Sequence, residues 1–285
     1  MGTSRERDNN IDETVVTPPT DRAGIRLAYG RRGAGAPLLL VQGTAATSLH
    51  WGERLLSLLE ASFDVVAYDH RGVGRSTPAV EPFTVADLAD DAAGLLARLG
   101  WPRAHVVGVS MGGLVAQELA LRHPDRVASL LLGCTHTGGA GTAPAVPDAL
   151  ASAIVHGDTS ATLRNVFRAG VKDPERVRPG AWEEYRDAAS AMPVHPRTTA
   201  LQIGAVSRHS TAGRLHRIGV PTHVVHGDAD RLVPVETAER LTAEIPGARR
   251  TVLPAGHFFW LEHPERTAEL VAEACSAPTD ERVSP

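Results

Sequence analysis

A short glycine-flanked segment around Ser110 is the part of the chain best suited to chemistry. It reads Gly-Val-Ser-Met-Gly over 108–112, follows an apolar run at 104–107 and precedes a helical pattern at 113–122. A G-x-S-x-G between a strand and a helix predicts a sharp turn that presents the serine hydroxyl at the carboxyl edge of a sheet. The flanking glycines lack the side chains that would clash there. The pattern therefore predicts that Ser110 is a nucleophile.

A serine nucleophile needs a base, and the base needs a group that orients it. His257 follows a predicted strand at 251–253, and Asp228 and Asp230 follow a predicted strand at 220–225. An open α/β sheet places its site at the carboxyl ends of its strands, so these side chains are expected to meet Ser110. From the residues alone, either aspartate could be the acid, since Asp228 also suits a turn-shaping role. His263, before a predicted helix, is expected to be a solvated cap.

The elements around these residues predict an α/β fold. Apolar runs without polar alternation are typical of strands that are buried on both faces, and here they alternate with segments of helical periodicity. We expect a mostly parallel central sheet with helices on both faces. The predicted strands are 25–29, 37–41, 63–68, 104–107, 127–132, 220–225 and 251–253, and the predicted helices are 48–60, 84–99, 113–122, 235–245 and 264–275.

The pattern changes between the strand at 127–132 and the strand at 220–225. Four helical segments and no strand are predicted there, at 148–156, 159–169, 179–192 and 196–208. An all-helical insertion at this point predicts a lid over the carboxyl edge of the sheet. The expected domains are a flexible N-terminal arm at 1–20, a core at 21–133 and 215–276, a helical lid at 134–214, and a flexible C-terminal tail at 277–285.

Composition narrows the class of protein. The 285 residues carry a net charge of −4 and two cysteines, Cys134 and Cys275. No block of like charge is long enough to bind nucleic acid, and no apolar run is long enough to span a membrane. Few cysteines and a polar first segment without an apolar signal region predict a cytoplasmic location.

The candidate motifs for a nucleotide cofactor or a metal do not lie in the structural context that such motifs require. Gly33 and Gly35 precede a strand instead of following one, and Gly72 and Gly74 lack a third glycine that opens a helix. His223 and His226 lie three apart on a predicted strand, so they point to opposite faces and do not suit a metal. We expect no metal and no organic cofactor.

The chain resembles the α/β-hydrolase superfamily from about residue 22 to residue 275. The resemblance is carried by the segments 108–117 and 123–127, which are similar to the nucleophile turn and its helix, and by 68–76, which is similar to the loop after the fourth strand. Within the superfamily the chain looks most like the cofactor-free haloperoxidase, enol-lactonase and polyketide methyl-esterase group.

The resemblance implies a role for each candidate residue. Ser110 would be the nucleophile, His257 the base and Asp230 the acid, since the family places its acid shortly before a proline. Backbone N–H groups of Thr44 and Met111 would form the oxyanion hole. The family usually shows His-Gly ahead of the first donor, and this chain has Gln-Gly at 42–43.

The implied activity is hydrolysis of a carboxylic ester or lactone of a hydrophobic small molecule. Residues that could line an apolar pocket, or instead pack the lid on the core, are His50, Trp51, Trp182, Tyr185 and Met192. The same triad could instead serve C–C bond hydrolysis, acyl transfer or cyclisation, because fold does not determine reaction. A non-catalytic small-molecule binder is the third reading. A homo-oligomer is compatible with the sequence.

Overall fold

A central sheet of eight strands organises the protein. The computed structural model describes residues 11–15, 24–139 and 160–276. The strand order is β1-β2-β4-β3-β5-β6-β7-β8, in which β2 is antiparallel to both neighbours and all other pairs are parallel. The strands are β1 Ile11–Val15, β2 Arg26–Arg32, β3 Ala36–Val41, β4 Phe63–Tyr68, β5 Ala104–Val109, β6 Val127–Gly133, β7 Thr222–Gly227 and β8 Arg249–Leu253. The predicted mostly parallel sheet is confirmed.

Helices cover both faces of the sheet because neighbouring strand residues point to opposite sides. Leu39 and Val41 pack in one core with α2, α3 and α7, whereas Leu38 and Leu40 pack in a second core with α1 and α9. The helices are α1 Glu53–Leu59, α2 Val85–Arg98, α3 Met111–Arg122, α4 Ser160–Gly170, α5 Ala181–Ala191, α6 Pro196–Ser207, α7 Glu236–Glu244, α8 Phe259–Glu262 and α9 Pro264–Cys275. None of the helices formed by the described residues is long and apolar enough to cross a membrane.

Two helical predictions need correction. The helix expected at 48–60 is a 3-10 turn, Ser48–Trp51, followed by α1. Gly52 separates them with a φ of 77°, a left-handed conformation that interrupts a right-handed helix. The helix α8 was not expected, because four residues are too few to show a helical period.

The arm expected at 1–20 contains a short described strand. Ile11–Val15 forms β1, which pairs with β2 from Arg26 to Gly30. Within the described residues this short segment is therefore an edge strand of the sheet. The predicted helix at 148–156 and the predicted tail at 277–285 lie outside the described residues.

Three helices occupy the described part of the segment in which a lid was expected. They are α4, α5 and α6, and we call residues 160–207 the insertion. They match the helices predicted at 159–169, 179–192 and 196–208. Helix α6 of the insertion contacts the loop after β4, because Thr198 Oγ1 donates a hydrogen bond to Gly72 O at 3.1 Å.

Candidate active site

The turn at Ser110 has the geometry of a nucleophile elbow. Ser110 joins β5 to α3 with φ 56° and ψ −123°, a conformation that non-glycine residues rarely adopt. A side chain on Gly108 would strike Gly112 O, and one on Gly112 would strike the carbonyls at the end of β3. Both neighbours must therefore be glycine for the turn to close. Strain of this kind costs about 1–3 kcal/mol and is found mainly where function requires it.

Asp230 and His257 form a hydrogen-bonded pair at the same sheet edge. His257 Nδ1 and Asp230 Oδ2 are 2.8 Å apart. The other carboxylate oxygen accepts the backbone N–H groups of Leu232 and Val233 at 2.8 and 2.9 Å. Burial would raise the pKa of Asp230, but the His257 charge and these hydrogen bonds hold it well below its ordinary value. The carboxylate is therefore ionised and can orient the imidazole.

The structure separates the two aspartates that the sequence left open. Asp228 is exposed and accepts two hydrogen bonds from Lys172 Nζ, at 2.7 and 2.9 Å. It makes a surface ion pair with the insertion instead of a contact with His257. His263 lies at the start of α9, with its Nε2 3.4 Å from Pro254 O.

His226 supports Asp230, a role that the sequence did not reveal. Its Nε2 lies 3.0 Å from Val233 O and 3.4 Å from Asp230 Oδ2. His223 pairs elsewhere, with Nε2 2.9 Å from Thr251 Oγ1. The two histidines thus have separate hydrogen-bond partners and do not form a common metal site.

Cys134 also lies beside this carboxylate. Ligand atoms of Cys134, His226 and Asp230 all lie within 4.8 Å of one another. Burial, and then the Asp230 charge, raise the pKa of the Cys134 thiol well above its ordinary value. In this group Asp230 already contacts His257 and His226 contacts Val233 O, so these side chains have partners within the protein.

The two backbone N–H groups expected to form an oxyanion hole belong to segments next to Ser110. Met111 is the first residue of α3, so its N–H has no intrahelical acceptor. Thr44 follows Gly43, where a Cβ atom would lie 3.0 Å from Ser110 Cβ and 3.5 Å from Ser110 Oγ. Within 24–139 and 160–276 neither N–H has an acceptor. Gln42 Oε1 accepts from Gly43 N at 3.1 Å, so the Gln-Gly pair supports the loop.

The loop that carries Thr44 is also held from both sides. His70 Nε2 lies 3.0 Å from Gln42 O. From the insertion, Gln202 Oε1 accepts from Ala45 N at 2.9 Å. Ala45 has a φ of 56°, so this hydrogen bond stabilises an otherwise unfavourable backbone conformation next to Thr44.

Glu262 connects the turn that carries His257 to the insertion. Its Oε1 accepts from Gly256 N at 2.6 Å, and its Oε2 accepts from Lys172 N at 3.0 Å. Burial raises the pKa of Glu262 although both hydrogen bonds favour its ionised form. The carboxylate therefore orders the residue immediately before His257.

Aromatic side chains link the insertion to the candidate base. Tyr185 on α5 is 7% exposed, and its ring lies 5.4 Å from Phe258 and 5.5 Å from His50. The Phe258 ring is in turn 5.7 Å from the His257 ring. Of the predicted pocket residues, Tyr185 therefore contacts the ring next to His257, and His50 contacts Tyr185.

The remaining predicted pocket residues make other packing contacts, although Trp182 also stacks on Tyr185 at 6.3 Å. Trp182 packs within the insertion, 5.3 Å from Phe167, with the Arg164 guanidinium 4.5 Å above its ring. Trp51 is 1% exposed and lies 5.5 Å from Trp260, a core-packing position. Met192 is half-buried at the end of α5. The burial of Trp51 disfavours it as a lining residue.

Sequence reasoning missed four polar residues around the site: His136, Gln202, His226 and Glu262. One signal was available for Glu262, because it interrupts the apolar segment that follows His257. Gln202 is hidden because a glutamine on a helix face carries no pattern. His226 was considered only with His223 as a metal-like spacing, and His136 was not considered.

Comparison with known proteins agrees with this geometry. Residues 36–264 match a family model described as the alpha/beta hydrolase fold. A provisionally named carbamate hydrolase from Variovorax paradoxus is 33% identical over 235 residues, which cover 78% of this chain and 84% of that one. These matches show that the chain belongs to the α/β-hydrolase family and is an enzyme of that family.

Other relatives differ in their reactions. The 2-hydroxymuconate semialdehyde hydrolase of a Pseudomonas species is 30% identical, covering 88% of this chain and 90% of that one. Among solved structures, the enol-lactonase from Burkholderia xenovorans has a TM-score of 0.78 and 26% identity, covering 90% of this chain and 98% of that one. The family is therefore shown, whereas the substrate differs from one relative to the next.

Proposed function

We propose that this chain is a serine hydrolase that cleaves a carboxylic ester or lactone of a hydrophobic small molecule. The observation that carries the proposal is the 2.8 Å contact between Asp230 Oδ2 and His257 Nδ1. It forms at the carboxyl edge of the parallel strands, where the strained turn also presents Ser110. The similarity to an enol-lactonase supports this substrate class.

In the proposed reaction, His257 accepts the Ser110 hydroxyl proton as Oγ attacks the carbonyl carbon. Asp230 holds the imidazole in the required tautomer and stabilises its cation. The N–H groups of Thr44 and Met111 donate to the oxyanion, and one such donor contributes about 3 kcal/mol. The leaving alcohol then takes the proton from His257. Water, deprotonated by the same histidine, finally hydrolyses the acyl-enzyme and regenerates Ser110.

The substrate class is inferred from the surroundings of the site. Aromatic rings of Tyr185 and Phe258 reach the candidate base from the insertion side. Apolar walls with a few polar groups favour a hydrophobic acyl or ring substrate over a charged one. We infer that segment 134–214 acts as a lid that sets substrate choice, while the core sets the chemistry.

Covalent labelling tests the proposal. A fluorophosphonate should label the protein once, and Ser110→Ala should abolish labelling while the fold persists. Turnover of aryl esters should fall by about 10⁴-fold or more in that variant. Near-normal turnover by Ser110→Ala would contradict a nucleophilic role for Ser110. Absence of labelling and of turnover in the wild type would favour the non-catalytic binder.

A second candidate function is C–C bond hydrolysis with the same residues. The 30% identity to a 2-hydroxymuconate semialdehyde hydrolase, over most of both chains, favours it. Relative kcat/KM on aryl esters and on a diketone separates the two functions. Rapid turnover of a thioester with transfer to an added alcohol would instead indicate acyl transfer.

We further propose that the reaction needs no metal or organic cofactor. At the one group of candidate ligands found within the described residues, Asp230 and His226 already contact His257 and Val233, which suits a triad better than a metal site. Turnover should therefore survive chelation, and a loss restored by a divalent ion would overturn this. The cytoplasmic location and the homo-oligomer remain predictions from sequence, checked by fractionation and by light scattering.

A further inference from the structure

A histidine next to the candidate nucleophile has no part in the proposed reaction. His136 lies three residues beyond the end of β6, and its side chain is buried, with 4% of the residue exposed. The preceding residue, Thr135, donates from Oγ1 to Ser110 O at 2.7 Å. His136 is therefore one residue away from a direct contact with the nucleophile turn.

The backbone around His136 is held in place from two sides. Gln117 on α3 donates from Nε2 to His136 O at 3.0 Å. Thr211 N donates to Thr137 O at 2.8 Å, and Thr211 Oγ1 donates to Gln117 Oε1 at 2.6 Å. The position of the imidazole is therefore set by the helix behind Ser110 and by the segment that leads back to β7.

The tautomer of His136 follows from one hydrogen bond. Gly138 N lies 2.9 Å from His136 Nδ1, and a backbone N–H can only donate. Nδ1 must therefore be the acceptor, which leaves the ring proton on Nε2. Burial, and then the charges of His209 and His257, lower the pKa of His136 to about 4. Near neutral pH the ring is uncharged and offers one N–H donor.

The Nε2–H group of His136 has no hydrogen-bond partner within 24–139 and 160–276. Its Nε2 atom is not one of the fully buried polar atoms that lack a partner, so it remains accessible to solvent. A donor left unpaired beside a substrate costs free energy that a suitable acceptor would recover. Because Thr135 hydrogen-bonds to Ser110 O, the adjacent His136 lies beside the nucleophile turn. An acceptor atom on a substrate bound at Ser110 is the natural partner.

We propose that His136 is a substrate-recognition residue that donates its Nε2–H to an uncharged oxygen of the substrate, such as a ketone, ether or second ester oxygen. The proposal rests on the proposed function for the position of the bond that is cleaved. A site built to donate a hydrogen bond discriminates against an analogue that lacks the acceptor, because the donor then stays unpaired. The preferred substrate is therefore an oxygenated hydrophobic ester or lactone.

Matched ester pairs test this recognition. The probes are p-nitrophenyl methoxyacetate against the butanoate, and the 4-oxopentanoate against the 4-methylpentanoate. Each pair differs at an acceptor oxygen and little in size. His136→Phe should lower the oxygenated-to-aliphatic ratio of kcat/KM by about 10-fold in at least one pair, as expected for the loss of one hydrogen bond. Comparing ratios between variants cancels the intrinsic reactivity of each ester.

Two further variants separate recognition from packing. His136→Gln places an amide N–H near the former Nε2 and should keep most of the wild-type ratio. His136→Asn places its amide near the former Nδ1 and should behave like His136→Phe. Thermal unfolding checks that each variant is folded. Unchanged ratios in His136→Phe for both pairs, or equal ratios in the Gln and Asn variants, would overturn the proposal.

A binding measurement keeps this inference distinct from the proposed function. In the Ser110→Ala background the same esters stay intact, so their Kd values can be measured by calorimetry. A preference for the oxygenated ester that disappears with His136→Phe supports recognition even if the wild type cleaves no ester. Absence of fluorophosphonate labelling in the wild type would reject the proposed function without rejecting the role of His136. Equal Kd values within both pairs would reject the role of His136.

Discussion

The sheet core and the insertion hold the candidate site in different ways. In the core, apolar side chains pack on both faces of the sheet, and a buried ion pair, Arg71 with Asp91, joins the loop after β4 to α2 through two 2.6 Å hydrogen bonds. The insertion reaches the site through aromatic packing of Tyr185 on Phe258 and through single polar contacts, such as that of Gln202 with Ala45. A packed core resists small displacements, whereas a loop held by one side-chain hydrogen bond depends on that single contact. From this difference we expect the core to carry the chemistry and the insertion to influence substrate choice.

The largest expected effect comes from the acid in the core. Asp230→Asn should lower kcat by about 10⁴-fold, because an amide cannot hold the imidazole in the required tautomer. Asp228→Asn is the matched control from the same turn, since its carboxylate pairs with Lys172 at the surface. It should change kcat by less than about twofold, as is usual for exposed ion pairs. Steady-state kinetics of both variants is the measurement, and equal losses would move the orienting role away from Asp230.

Acid sensitivity of the core comes next. Burial lowers the pKa of His50, His70 and His136 from 6.5 to about 4. Between these values the unfolded chain binds protons that the folded chain does not, so stability is lost as the pH falls from 6.5 towards 4. Each histidine can remove on the order of 1 kcal/mol per pH unit in that window.

Thermal unfolding at pH 7.5 and pH 5.0 checks this expectation. The midpoint should be lower at pH 5.0, and His70→Gln should reduce the difference, since glutamine keeps a donor towards Gln42 O but takes up no proton. Equal midpoints at the two pH values would show that these histidines do not control acid stability.

A smaller effect is expected where the insertion touches the oxyanion loop. Gln202→Met removes the acceptor of Ala45 N–H and keeps a similar side-chain volume. We expect kcat to fall by about 10-fold with KM nearly unchanged. This fall corresponds to the free-energy cost of leaving one buried N–H without an acceptor.

Thr198→Val is the control on the same helix, because it removes the hydrogen bond to Gly72 O in a different loop. It should leave kcat closer to that of the wild type. If both variants lose the same fraction of kcat, the insertion acts through general packing and not through the oxyanion loop.

The smallest expected effect concerns substrate ranking. Tyr185 stacks on Phe258 next to His257, whereas Trp182 contacts Tyr185 and Phe167, with ring centroids 6.3 and 5.3 Å away. Tyr185→Ala should change relative rates among acyl sizes by a few-fold, about 3-fold to 10-fold. Trp182→Ala should keep the parent's ranking, and both should keep labelling of Ser110. Identical rankings in the wild type and Tyr185→Ala would contradict a selective role for this wall.

Several features of the fold could be read from local patterns. The strands β3 to β7 appear as apolar runs because they are buried on both faces, and their predicted bounds differ from the structure by two residues at most. The helix expected at 48–60 was wrong because Gly52 adopts a left-handed backbone conformation there. A glycine permits that conformation without requiring it, so local pattern could not decide it.

The site was only partly predictable for a similar reason. Asp228 and Asp230 lie two residues apart in one turn, so spacing could not separate them. In the structure Asp230 contacts His257, whereas Asp228 contacts Lys172. Trp51 resembled a pocket residue because its hydrophobicity suits both a pocket and a core. Its burial against Trp260 depends on a segment far along the chain.

The sequence by itself determined the strand and helix order, the glycine-flanked turn at Ser110 and the types of the downstream candidates, because these depend on neighbours within a few residues. Only the tertiary structure decided the partners. Asp230 meets His257 across 27 residues of chain, and Gln202 meets Ala45 across 157. Such contacts depend on the order of the strands in the sheet and on how the insertion folds back. Neither leaves a periodic signal in the amino-acid sequence.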